Sequence, residues 1–125
     1  MASEIEIKLT MKDEDVLGDI LDDERLKKDF DLTYTDLIVK AVTVALRKHP
    51  RLNSTLDGEV IQPLQDINIG VGVALEEGLI VPVIRGADKL SVQEIGAALR
   101  SLAAKARNNT LEIDEISGGT FTITN

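Results

Sequence analysis

The sequence has no cysteine and no tryptophan, and only one tyrosine, two phenylalanines, three prolines and one histidine in 125 residues. Without cysteine there is no disulfide staple, no thiolate nucleophile and no zinc site of the cysteine-rich kind, and no metal is expected. With so few aromatics, the core of one domain over 1–125 has to be built from Val, Ile, Leu and Ala, within an apolar content of 43%. No stretch approaches the roughly 18 to 20 uninterrupted apolar residues of a membrane helix. The opening MASEIEIKLT lacks the positive flank and apolar run of a signal peptide. The expected setting is therefore cytoplasmic, without a membrane partner. Positive charge is scarce too: the formal net charge is −8, and residues 1–31 carry eleven acidic against five basic side chains. That balance argues against nucleic acid as a partner, because counterion release requires clustered Lys and Arg.

What is present alternates between strand and helix periods. EIEIKLT, residues 4–10, places Ile5, Ile7 and Leu9 on one face and predicts a solvent-flanked or edge strand. Apolar residues between Asp13 and Phe30 recur near helical spacing among many acids and predict a surface helix. In LTYTDLIVKAVTVALRKHP, Asp36, Lys40, Thr43 and Arg47 form one polar stripe on an otherwise apolar helix, expected to face water while the rest is buried. Thr33 with Asp36 spells the start of that helix, and Arg47, Lys48 and His49 before Pro50 spell its end.

Asp57-Gly58 predicts a hairpin turn. INIGVGVAL predicts a strand with Ile67, Ile69, Val71, Val73 and Leu75 on one face and Asn68, Gly70, Gly72 and Ala74 on the other. After a turn at Glu76-Glu77-Gly78, Leu79 to Ile84 reads as a strand covered on both sides. LSVQEIGAALRSLAAKAR carries a capping box, Ser91 with Glu94, and an apolar face through Val92, Ile95, Leu99, Leu102 and Ala106. Asn108-Asn109 ends that helix, LEIDEI predicts a connection or turn of helix, and TFTIT after Gly118-Gly119 a closing strand. Together these predict an α+β or α/β layered domain.

Candidate chemistry is thin. His49 has no carboxylate or nucleophile partner in sequence, and its place at a helix end accounts for it. Gly70-x-Gly72 lacks the third glycine of a dinucleotide fingerprint and reads as close packing. The small-residue face through Asn68, Gly70, Gly72 and Ala74 could border a pantetheine channel, though packed sheet is the simpler reading. The pairs Asp22-Asp23 and Glu76-Glu77 read as solvated surface, and no lysine has the hairpin context of a lipoylation site.

Four separated segments, LTYTDLIVKAVTVALRKHPRLNSTLD, INIGVGVALEEGLIVPVIRGADKLSVQEI, LAAKAR and GGTFTITN, together resemble the first half of the catalytic domain of the 2-oxo acid dehydrogenase acyltransferases, the dihydrolipoamide acyltransferase family. The resemblance implies a chloramphenicol-acetyltransferase-like fold, a mixed sheet with flanking helices and three subunits about a threefold axis. It also implies a channel between subunits, where an acyl group passes between dihydrolipoyl and coenzyme A thiols. Thr124 matches the hydroxyl that stabilises the oxyanion. The general base belongs to an H-R-x-x-D-G motif that this sequence does not contain, and His49 does not match it. By resemblance, then, the chain supplies one wall of the site and needs a second polypeptide, or self-association, for the rest. Lipoyl domains and dehydrogenase subunits are the implied partners, and a non-catalytic binding or assembly module of the same fold is the alternative. A chain ending inside TFTIT is expected to leave an apolar sheet edge open to another chain.

Overall fold

In a computed structural model, residues 6–7 and 32–124 are described. The helix expected over 13–30, the rest of the 4–10 strand and Asn125 lie outside the described residues. Two reciprocal capping boxes set where the helices begin. α1 spans Tyr34–Lys48, with Thr33 and Asp36 each accepting the other's backbone N–H. α2 spans Val92–Arg107, started in the same way by Ser91 and Glu94. Each box satisfies two amide donors that a helix start leaves without intrahelical partners. α1 stops at His49, and Pro50 opens a 3₁₀ turn over Pro50–Leu52.

Eight short strands are β1 (Glu6–Ile7), β2 (Ser54–Asp57), β3 (Val60–Pro63), β4 (Ile69–Val71), β5 (Val73–Leu75), β6 (Gly78–Ile80), β7 (Val83–Ile84) and β8 (Phe121–Ile123). The main sheet is mixed, in the order β1-β8-β4-β7, with β8 parallel to both β1 and β4 and β7 antiparallel to β4. β2 with β3 and β5 with β6 form separate two-stranded hairpins. The first turns through Gly58 at φ 64°, a left-handed conformation that glycine adopts without steric cost. Val39, Val42 and Leu46 of α1 and Ile95 and Leu102 of α2 pack against Ile69, Phe121 and Ile123 of the sheet. Burying side chains of this size contributes about 1.5–3 kcal/mol each.

The closing strand β8 lies inside the sheet, paired on both sides, with β1 and β7 flanking it among the described residues. Two expectations are corrected. The apolar run from Leu79 to Ile84 is two strands, because Val81 and Pro82 separate β6 from β7, and Leu79 is 65% exposed. The polar stripe of α1 turns inward over Asp36, Lys40 and Thr43, while the Arg47 side chain at its end stays 64% exposed. Asp36 is 2% and Thr43 1% exposed, whereas Val44 is 44% exposed. The stripe can be buried because its groups are satisfied: Asp36 caps Thr33, Thr43 Oγ1 donates to the Lys40 carbonyl at 2.7 Å, and Lys40 Nζ donates to the Leu90 carbonyl at 2.7 Å. Lys40 thereby ties α1 to the turn that leads into α2.

Candidate active-site groove

The strand that carries Thr124 is held in register by one buried residue, Asn68. Its backbone N–H donates to Thr120 Oγ1 at 3.0 Å, and its carbonyl accepts from the Thr120 N–H at 2.8 Å. Its side chain donates to the Gly118 carbonyl and accepts from the Gly86 N–H, both at 3.0 Å. One side chain therefore joins the entries of β4 and β8 to the loop after β7. The register continues as Gly70 opposite Thr122, and the Gly72 N–H reaches the Ile123 carbonyl at 3.0 Å.

This register sets threonines above glycines. A Cβ placed on Gly70 would lie 2.8 Å from Val81 Cγ1 and 3.3 Å from Thr122 Oγ1. A Cβ on Gly72 would lie 3.6 Å from Thr124 Cγ2 and 3.4 Å from Leu79 Cδ1. At Gly70 the small residue thus serves close packing within the fold, as the sequence reading favoured. Gly72 is different, because it and Thr124 border open space.

That space is a groove of about 1020 Å³ where β4 and β8 end, between the start of α1 and the second half of α2. Val71, Gly72, Ile123 and Thr124 form one wall. Thr33, Thr35, Asp36 and Ile38 close the side toward α1, while Leu99, Arg100, Ala103 and Arg107 come from α2. The helices approach each other closely here: a Cβ on Gly96 would sit 2.7 Å from Asp36 Oδ2 and 3.3 Å from an Arg100 terminal nitrogen. A second cavity of about 600 Å³ lies beyond Arg107, bordered by Ala74, Leu75, Glu76, Glu77 and Asn109.

Of the residues singled out in the sequence, Thr124 and Gly72 meet at the groove. His49 caps the far end of α1, exposed and away from it. Among the described residues, no group of three or more His, Asp or Glu side chains could hold a metal ion, and no helix is long and apolar enough to cross a membrane. Arg100 and Arg107 were missed. Their signal was the spacing Arg100, Ala103, Arg107, steps of three and four that put both guanidinium groups on one helix face beside the apolar one.

Elsewhere the polar groups brace the approach to β8. Arg85 donates to the Asp114 carbonyl at 3.1 Å and the Ser117 carbonyl at 3.0 Å. Lys105 Nζ meets Glu115 Oε2 at 2.8 Å, which holds the Lys105 ammonium above and the Glu115 carboxyl below their ordinary ranges.

An α+β domain whose cavity opens at the ends of a parallel strand pair has close counterparts among acyltransferase cores. A truncated catalytic core of the 2-oxoacid dehydrogenase multienzyme complex from Thermoplasma acidophilum superposes with a TM-score of 0.79 at 34% identity, over 88% of this chain and 53% of that one. The sequence pattern of the family described as 2-oxoacid dehydrogenases acyltransferase (catalytic domain) matches residues 3–125. The chain belongs to that family. It is 45% identical over 94 residues to the dihydrolipoyllysine-residue succinyltransferase component of the 2-oxoglutarate dehydrogenase complex of Bacillus subtilis, covering 75% of this chain and 22% of that protein. It is 44% identical over 94 residues to the dihydrolipoyllysine-residue acetyltransferase component 2 of the mitochondrial pyruvate dehydrogenase complex of Arabidopsis thaliana, covering 75% of this chain and 17% of that protein. The chain thus spans about a fifth of the length of these curated relatives.

Proposed function

We propose that this chain builds the oxyanion-stabilising wall of a dihydrolipoamide acyltransferase site, in which an acyl group passes between the thiols of dihydrolipoamide and coenzyme A. The observation that carries the reading is Thr124 beside Gly72 at the rim of the groove. When one thiolate attacks the thioester of the other, negative charge develops on the carbonyl oxygen. Thr124 directly follows β8, which is paired on both sides, so its hydroxyl stands where a donor to that oxygen is needed. The general base comes from outside these 125 residues, from a partner segment bearing the H-R-x-x-D-G motif. It takes the proton of the attacking thiol, which activates the nucleophile.

We place the domain in the chloramphenicol-acetyltransferase-like arrangement, with subunits about a threefold axis and lipoyl domains and dehydrogenase subunits as partners. Exposed apolar side chains on α1 and both hairpins, Val44, Leu56, Val60, Ile61 and Leu79, support association of this kind. The same side chains favour the second reading, an assembly module without catalysis. Transfer from acetyl-coenzyme A to dihydrolipoamide, assayed with the H-R-x-x-D-G segment supplied, separates the two. Thr124→Val is expected to lower kcat about 10²- to 10³-fold. Activity that is unchanged by Thr124→Val removes the role given to Thr124, and no activity under any condition leaves the assembly reading.

A further inference from the structure

We infer that Arg107 is the anion anchor of the groove, holding an oxyanion group carried by the substrate at the end away from the α1 start. The inference rests on the acyl-transfer reading for the identity of the substrate, but not for the existence of the contact. Arg107 borders both the larger groove and the smaller cavity, so it stands where the two adjoin. Its backbone is fixed. It is the last residue of α2, Asn108 caps the helix by donating to the Ala104 carbonyl at 3.0 Å, and Asn109 turns the chain away at φ 56°.

Of the two cations that line the groove, Arg107 is set apart by its surroundings. Lys105 is occupied by Glu115, Arg47 by Asp88, Arg85 by two carbonyls and Lys40 by the Leu90 carbonyl. Arg100 has a partner as well. Arg107 forms no side-chain ion pair or hydrogen bond with any described residue, although it lines the groove. Val73, Leu99 and Ala103 line the groove with it, the groove's carboxylate, Asp36, accepts from the Thr33 amide, and Glu76 and Glu77 border the smaller cavity.

In a chain of net charge −8, a guanidinium without a partner among the described residues is a local attractor for an anion on the side of the larger groove, which Glu76 and Glu77 do not line. Its planar pair of donors suits phosphate or carboxylate. An arginine in the last turn also complements the helix dipole, but Lys105 in the same turn already does so. Two sources of the anion fit the chemistry: a phosphate of the thiol carrier, or a second carboxylate on a dicarboxylic acyl group.

The test is a binding titration on the 125-residue chain by heteronuclear NMR or calorimetry, with coenzyme A, pantetheine, acetyl-pantetheine and succinyl-pantetheine as probes. Wild type, Arg107→Gln and Arg107→Lys are compared, with circular dichroism to confirm folding. If phosphate is the anion, coenzyme A binds about ten- to a hundredfold more tightly than pantetheine, and Arg107→Gln removes that difference while Arg107→Lys keeps part of it. If carboxylate is the anion, the same pattern separates succinyl- from acetyl-pantetheine. These measurements read binding alone, so failure of the transfer reading shows in turnover and not here. An Arg107→Gln chain that keeps wild-type preference for the anionic probe, or a wild type that prefers none or binds none, overturns the anchor.

Discussion

β4 and β5 are consecutive pieces of one apolar stretch, separated only by Gly72, yet they have opposite fates. β4 is buried along its whole length between β8 and β7. β5 leaves the main sheet and pairs with β6 in a hairpin whose Leu79 is the most exposed apolar side chain of its strands. The alternation of large and small residues is the same in both. Periodicity therefore encodes strand, whereas the layer that covers a strand depends on residues elsewhere in the chain. The glycine between them is where the chain changes sheets, and the groove opens at that point.

The contrast can be broken most forcefully in the main sheet. Phe121, 1% exposed, is among the largest fully buried side chains, and Phe121→Ala is expected to cost about 3–5 kcal/mol in urea denaturation. Leu79→Ser in the hairpin should stay within about 0.5 kcal/mol. Similar losses for both would mean that the hairpin is buried in solution and that the comparison holds only for the isolated chain.

Asn68→Leu comes next. It removes the hydrogen bonds to the exposed Gly118 carbonyl and the half-buried Gly86 N–H, at about 1–2 kcal/mol each. The expected total is about 2–4 kcal/mol, with hydrogen exchange accelerated first at Thr120 and Phe121. Unchanged exchange in β8 would show that the ladder alone sets its register.

A smaller effect is expected where the helices cross. Gly96→Ala gains about 1 kcal/mol in helix propensity but drives a methyl into the Asp36 carboxylate, and overpacking of this kind costs about 1–3 kcal/mol. The net expectation is a loss of about 1 kcal/mol, which a gain in thermal midpoint would contradict.

The smallest effect is at the surface. The hydrogen bond from Lys105, then that from the Glu112 N–H, lowers the Glu115 pKa from its ordinary 4.5. A depressed folded-state pKa contributes stability above the unfolded value and loses it as pH falls through the folded one. The difference between wild type and Glu115→Gln should therefore be flat near neutrality and close below about pH 4. A difference that grows on acidification would reverse the assignment.

Both described helices could be read in the sequence to within a residue, because Thr33-Asp36 and Ser91-Glu94 are local devices that need nothing beyond four residues. The Asp57-Gly58 turn was equally local. What could not be read depends on partners far along the chain. The stripe of Asp36, Lys40 and Thr43 looked like a wet face because polar side chains usually are. It is buried here because a loop some fifty residues on supplies the Leu90 carbonyl. The meeting of Thr124 with Gly72 was likewise invisible until the parallel pairing of β8 with β4 was known. The family pattern in GGTFTITN pointed to the threonine, whereas the pattern in LAAKAR, which ends at Arg107, named no role for that arginine.

The two-sided pairing of β8 also carries a consequence for how the chain acquires its shape. Its partners are remote: Thr120 bonds to Asn68, 52 residues away, and Thr122 is aligned with Glu6. Such contacts form late, since the loop entropy of bringing distant segments together is lost before any pairing is gained. The helices, begun by their own caps, can order in advance. Refolding followed by circular dichroism and by exchange labelling should show helix signal ahead of protection at Thr122. A nascent molecule would then possess its scaffold before the Thr124 hydroxyl is in position, and the arrival of that hydroxyl would mark the end of maturation.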